Sequence, residues 1–203
     1  MNNMVQATVI LFLVIFLAIF LLYHCYRVRG FIETALFAII AGGIGVSVEL
    51  IGVTSGGYEY VGQTLLMVSL FTSFGWIVNT YLAMHMATFI LGGYERDTWC
   101  LKDILKSSVF AGVLGVIYDL FIDPVATALK VWVWSYEGPW YGIPTPNFIG
   151  WFAIITLSIV GYYFTLFYGK TRKQKIIMAL LAVPMASIVI VTIMNLCHFF
   201  NIR

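Results

Sequence analysis

The sequence predicts an all-α polytopic membrane protein with about six transmembrane helices, and three observations predict it. Hydrophobic residues make up 62% of the 203-residue chain and charged ones 10%, at a mean hydropathy of +0.97. A water-soluble domain has no means of hiding that much apolar surface. The apolar residues also fall into runs of about 20, the length a helix needs to cross the hydrocarbon core. No stretch alternates with the period of a membrane barrel.

The first run, roughly 4–23, lacks a basic start and a small-residue cleavage site, and Arg27 and Arg29 follow it. It therefore reads as a membrane helix and not as a cleavable signal peptide. The second, roughly 31–51, opens near Glu33, where an acid suits a helix start, and carries Glu49 towards its far end. The third, roughly 64–91, is long enough to tilt or to kink near Gly75. The fourth, roughly 104–122, runs into Asp123 and Pro124, where the proline is expected to stop the regular pattern. Runs at roughly 148–168 and 176–199 complete a single integral-membrane domain spanning 1–203.

Charge orients these segments. Of the 11 Lys and Arg residues, 9 sit in three connections: Arg27 and Arg29; Arg96, Lys102 and Lys106; Lys170, Arg172, Lys173 and Lys175. Only Lys130 and Arg203 fall on the other side. The positive-inside rule makes the three basic connections cytoplasmic and leaves both termini outside, in the cell membrane. The net charge of +2 thus reports topology and gives no support for a nucleic-acid partner. Cys25, Cys100 and Cys197 are odd in number and form no CxxC pair, so neither a disulfide framework nor a thiolate metal site is expected. His85, six residues after Asn79, reads as a bridge between helices and not as a metal ligand. No nucleotide loop, HExxH motif or Ser/His/Asp order appears, which disfavours an energy-consuming pump.

With this topology the telling polar residues gather at the outer side. Asp119 and Asp123 are one turn apart on one helix face, at the end of an apolar segment. Ionisable groups inside a membrane are costly, and mark functional sites by default. Glu49 is placed to answer them across a helix contact. Gly52–Gly62 carries Tyr58, Glu59 and Tyr60; its glycines serve the turn, and Glu59 and Glu137 read as solvated loop acids. Trp132, Trp134, Tyr136, Trp140 and Tyr141 divide evenly between an interfacial belt and a site wall. Asn195 and His198, one turn apart, can join a polar cluster at the same end.

Two carboxyls sharing an apolar site do not both ionise cheaply, so one is able to keep a proton near neutral pH. Such an acid can protonate an electron-rich carbon, aromatic faces can steady the resulting cation, and a second carboxylate can activate water to quench it. The same parts suit a proton-coupled transporter, so the residues alone leave both readings open, alongside that of a non-catalytic lipid-binding or partner subunit. No internal repeat with broken helices of the kind transporters use is visible.

The segment from Gly115 to Ala126 around the two aspartates, Trp132-Val133-Trp134, Gly138-Pro139-Trp140-Tyr141-Gly142-Ile143-Pro144 and Asn147-Phe148-Ile149-Gly150-Trp151 together resemble the membrane carotenoid biosynthesis family. Glu49-Leu50-Ile51-Gly52 with Gly57-Tyr58-Glu59-Tyr60 is similar to that family's earlier pattern, an acid before a glycine-rich loop with a Tyr-x-Tyr. The family includes carotenoid 1,2-hydratases and bisanhydrobacterioruberin hydratases. The resemblance implies hydration of a terminal isoprenoid double bond in a long polyene or polyprenoid, without metal or organic cofactor. It implies membrane lipid as the surroundings and an isoprenoid-pathway enzyme as a partner. Site residues carried over are Glu49, Tyr58, Tyr60, Asp119, Asp123 and Asn147. In this reading Asp119 donates the proton, Asp123 tunes it, and Glu49 or Asn147 places water. Tyr58, Tyr60 and Trp132 line the cation or hold the polyene end.

Overall fold

A computed structural model describes residues 3–92, 100–200 and 202. Among them the chain runs α1 (Asn3–Arg29), α2 (Phe31–Thr54), β1 (Tyr58–Tyr60), α3 (Leu65–Ile90), α4 (Leu101–Ala128), β2 (Trp132–Trp134), α5 (Thr145–Tyr168) and α6 (Arg172–Phe199). All six helices are long and apolar enough to cross a membrane. Each expected span lies in one helix, with Thr64 and Leu91 as the capping residues of α3. Arg96 and Arg203, two of the charges on which the expected orientation rests, lie outside the described residues.

The helices start and stop for local reasons. Gly30 alone separates α1 from α2 at φ +80°, a left-handed conformation that suits glycine. Thr64 accepts a hydrogen bond from the Met67 amide at 3.3 Å. Thr171 and Gln174 form a reciprocal capping box at the start of α6. α3 runs as one continuous helix through Gly75.

α2 and α5 occupy the middle of the bundle: α2 packs on α1, α3, α5 and α6, while α5 packs on α2, α3, α4 and α6. Between them Phe37, Ile40, Ile44, Ile155, Ile159 and Tyr162 are buried. The outer faces, with Phe12, Phe16, Phe89, Phe121 and Ile188, are exposed, as lipid-facing surfaces are. Small residues let backbones approach where association cannot draw on hydrophobicity alone. A Cβ on Gly45 would lie 2.2 Å from Trp76 Cγ, and one on Gly112 2.2 Å from Thr156 Oγ1. At the end of the bundle near Arg29, His85 of α3 meets α1 by ring contact only, and its Nε2 is buried without a hydrogen-bond partner among the described residues. Its ring lies 4.3 Å from that of Tyr81 and 5.6 Å from that of His24 on α1, and His24 Nδ1 lies 2.8 Å from the Tyr81 hydroxyl.

Two features depart from expectation. First, α4 does not stop at Pro124; it continues to Ala128. Proline has no N–H, so the carbonyl four residues back, that of Leu120, loses its helical partner. The Trp140 indole N–H supplies the replacement, donating to Leu120 O at 3.1 Å. Second, the bundle end carries a two-stranded antiparallel ribbon, with Tyr58 opposite Trp134 and Tyr60 opposite Trp132. Because strand side chains alternate, these four rings share one face, and exposed Glu59 takes the other.

The Gly45–Trp76 approach carries a prediction. Gly45→Ala forces the indole aside, and overpacking of this kind costs about 1–3 kcal/mol. Thermal unfolding in detergent is expected to show that loss relative to the unaltered protein.

Candidate functional site

The site forms where α2, α3, α4 and α5 meet the ribbon. On α2, Gly45 lies one turn before Glu49, and its missing side chain lets the Trp76 indole lie flat enough to reach the carboxylate. Trp76 Nε1 donates to Glu49 Oε1 at 3.1 Å. The other oxygen, Oε2, accepts from Tyr60 Oη at 3.0 Å and, more closely, from Tyr58 Oη. Gly52 serves the same end, because a Cβ there would lie 2.8 Å from the Tyr58 ring. Three donors from two further elements thus hold one acid.

The aspartates form a second centre. Asp119 and Asp123 are one helical turn apart on α4, with exposures of 0% and 1%. Asn147, on the first turn of α5, joins them: its Nδ2 donates to Asp119 Oδ2 at 2.9 Å and to Asp123 Oδ2 at 2.5 Å. Asp119 Oδ1 is buried with no partner among the described residues. A pair of buried carboxyls bridged by one amide suits a shared proton.

A cavity of about 530 Å³ links the two centres. Glu49, Asp123 and Asn147 line it, with Tyr58, Tyr60, Trp132 and Trp134 of the ribbon and Trp76 and Trp151 of the bundle. Its far walls are apolar: Ile10, Val14 and Leu17 of α1 face Phe121, Ile122 and Val125 of α4. Those three α4 side chains are among the exposed hydrophobics, so the cavity borders the lipid-facing flank. Gln6 Nε2 bridges α1 to Leu129 O at 3.0 Å across the top of this opening. Tyr60 and Trp132 pack edge-on with centroids 5.6 Å apart, while Tyr58 and Trp134 at 4.9 Å and Trp76 and Trp151 at 4.6 Å are tilted against each other.

All seven residues singled out from the sequence therefore converge, with one distinction among them. Asp123 lines the cavity, whereas Asp119 lies behind it. Sequence reasoning passed over Trp76; Thr72, Ser73, Asn79 and Thr80, each one turn from it, were the available signal. It also left Trp151 without a role and Trp134 undecided between belt and site wall; the period-two Trp-x-Trp and Tyr-x-Tyr pairs were the available clue to the ribbon. The loop acids Glu59 and Glu137 are exposed and outside the cavity, as expected. Among the described residues, no three His, Cys, Asp or Glu side chains cluster as a metal site.

Burial, and next the Glu49 carboxylate beside them, push the phenols of Tyr58 and Tyr60 well above their ordinary value of 10.0. A raised folded-state value means that the stabilisation is complete below the unfolded phenol value and is lost as pH climbs through the raised one. The paired variant Tyr58→Phe, Tyr60→Phe is expected to lose about 1–3 kcal/mol at neutral pH, because Glu49 Oε2 loses its donors. Its unfolding free energy, followed from neutral to alkaline pH, is also expected to fall less steeply than that of the unaltered protein.

The family model for carotenoid biosynthesis proteins matches residues 6–202, from the first turn of α1 to the end of α6. No curated protein and no solved structure matches the chain. With a match over nearly its whole length, this membrane protein belongs to the carotenoid biosynthesis protein family.

Proposed function

We propose that the protein is an integral-membrane hydratase that adds water to a terminal isopropylidene double bond of a carotenoid or related isoprenoid. The observation that carries this reading is a buried acid, Asp123, facing an aromatic, lipid-bordered cavity that also contains Glu49. The polyene end enters between α1 and α4. Asp123 gives its proton to the less substituted alkene carbon; a C–H bond forms, the π bond breaks, and the tertiary carbon becomes a cation. Tyr58, Tyr60 and Trp132 present ring faces and edges around that carbon without offering a nucleophile. Glu49 takes a proton from water as its oxygen bonds to the cation, and the product is a tertiary alcohol.

The exposure of Asp123 to the cavity favours it as donor over Asp119, which exchanges the two roles expected from sequence. Asp119 and Asn147 are then positioning residues that hold the Asp123 carboxyl and its proton in place. The Tyr58 and Tyr60 phenols and the Trp76 indole hold Glu49 in the same way.

Co-expression with a pathway making acyclic carotenoids, followed by mass spectrometry of extracted lipid, tests the reading. The unaltered protein is expected to yield product heavier by one water. Asp123→Asn is expected to lower hydration by about 10²–10⁴-fold, the usual worth of a general acid, and Asp119→Asn by less. No added water in any sample, with the protein folded in the membrane, would favour proton-coupled transport or a partner role instead. Equal activity in Asp123→Asn would remove that residue from the donor role.

A further inference from the structure

A second cavity, of about 860 Å³, lies on the other side of the site between α2, α5 and α6. It shares a wall with the first: Glu49, Tyr58, Trp76, Trp134, Asn147 and Trp151 line both. Beyond that wall the two differ in chemistry. The first adds Tyr60, Thr72, Asn79 and Asp123 and a broad apolar wall from α1 and α4, whereas the second adds Ser55, Tyr136, Asn195 and His198 and the backbone of Gly56 and Gly57. On α6 the lining residues are Val191, Met194, Asn195 and His198. Their spacing of three, one and three residues puts them on one helix face. Polar side chains within a transmembrane segment characteristically turn to a cavity, and here they do.

We propose that this second cavity is the water compartment of the site, and that Asn195 and His198 hold and relay water to Glu49 across the shared wall. The inference rests on the hydratase reading. Water is held stably where it is offered two to four polar partners, and beyond the shared wall this chamber offers Ser55, Tyr136, Asn195 and His198, whereas the flank of the first along α1 and α4, where the polyene enters, is apolar. The two substrates then arrive from opposite sides, polyene from the lipid flank and water from the α6 side, and meet between Asp123 and Glu49. The arrangement also closes the proton balance. Asp123 loses one proton to carbon, Glu49 gains one from water, and that proton passes back to Asp123 across the first cavity, which both carboxyls line.

The cation has two fates, and their ratio reports the water supply. Captured by water it becomes the alcohol; starved of water it loses a neighbouring proton and returns to alkene. In D₂O the returned alkene carries deuterium from Asp123. The experiment uses the full chain in lipid nanodiscs with lycopene as probe, and mass spectrometry of both products. Asn195→Leu with His198→Leu is expected to raise the ratio of deuterated alkene to alcohol roughly tenfold, the effect of about one lost hydrogen bond. The polar replacements Asn195→Ser and His198→Asn are expected to hold it near the unaltered value. Both side chains are exposed in the chamber, so the leucines remove no buried packing, and either single leucine variant gives the same comparison. An unchanged ratio in the leucine variants overturns the water compartment while leaving hydration intact. Neither alcohol nor label from the unaltered protein overturns the hydratase reading and this inference with it.

Discussion

The arrangement turns on one carboxylate. Glu49 sits within a membrane-spanning helix, where a polar group finds no bulk water and must be satisfied by the protein itself. Its two oxygens recruit Tyr58, Tyr60 and Trp76, and with them the ribbon and α3. Much of the local architecture follows from that demand. Gly45 makes space for one donor and Gly52 for another. The strand register puts both tyrosines on the inward face, and the paired strand then brings Trp132 and Trp134 to the same side.

The aspartates solve a related problem differently. Here two like groups share a single amide, that of Asn147, and one of them is shut away from the cavity while the other faces it. The asymmetry separates a carboxyl that can touch a substrate from one that can only act through its neighbour. Glu49, with every oxygen occupied by a neutral donor, sits across the cavity from that pair. The site therefore has an acid end and an acceptor end, joined by aromatic walls.

Much of this was legible in the chain. Run length and hydropathy located all six helices, because the bilayer imposes a length that single residues hardly disturb. Charges among those runs identified Glu49, Asp119 and Asp123, since an intramembrane acid stands out against its surroundings. The family resemblance supplied Asn147 and the tyrosine pair. Other features were not legible. Pro124 looked like a helix end because the partner that rescues its orphaned carbonyl, Trp140, is 20 residues away and belongs to a hairpin. The ribbon joins strands of three residues from distant parts of the chain, too short for periodicity to declare them. Which aspartate faces the cavity depends on how α4 is rotated against α5, and no i, i+4 pattern specifies that.

The link between Asn147 and the aspartates has a further consequence for how the protein is made. Asn147 follows Asp119 by 28 residues and belongs to the next helix, so α4 emerges from the ribosome before its amide partner exists. At that stage two carboxyl groups approach the bilayer without the donor that later satisfies them. Residues 129–144, between α4 and α5, must come to rest at the membrane surface before α5 turns back and seats the amide. Integration of α4 is thus coupled to that of α5, and the two are expected to enter the lipid as a hairpin. The chemistry at the heart of the bundle is thus assembled only as α5 follows α4 into the lipid, before α6 completes the bundle.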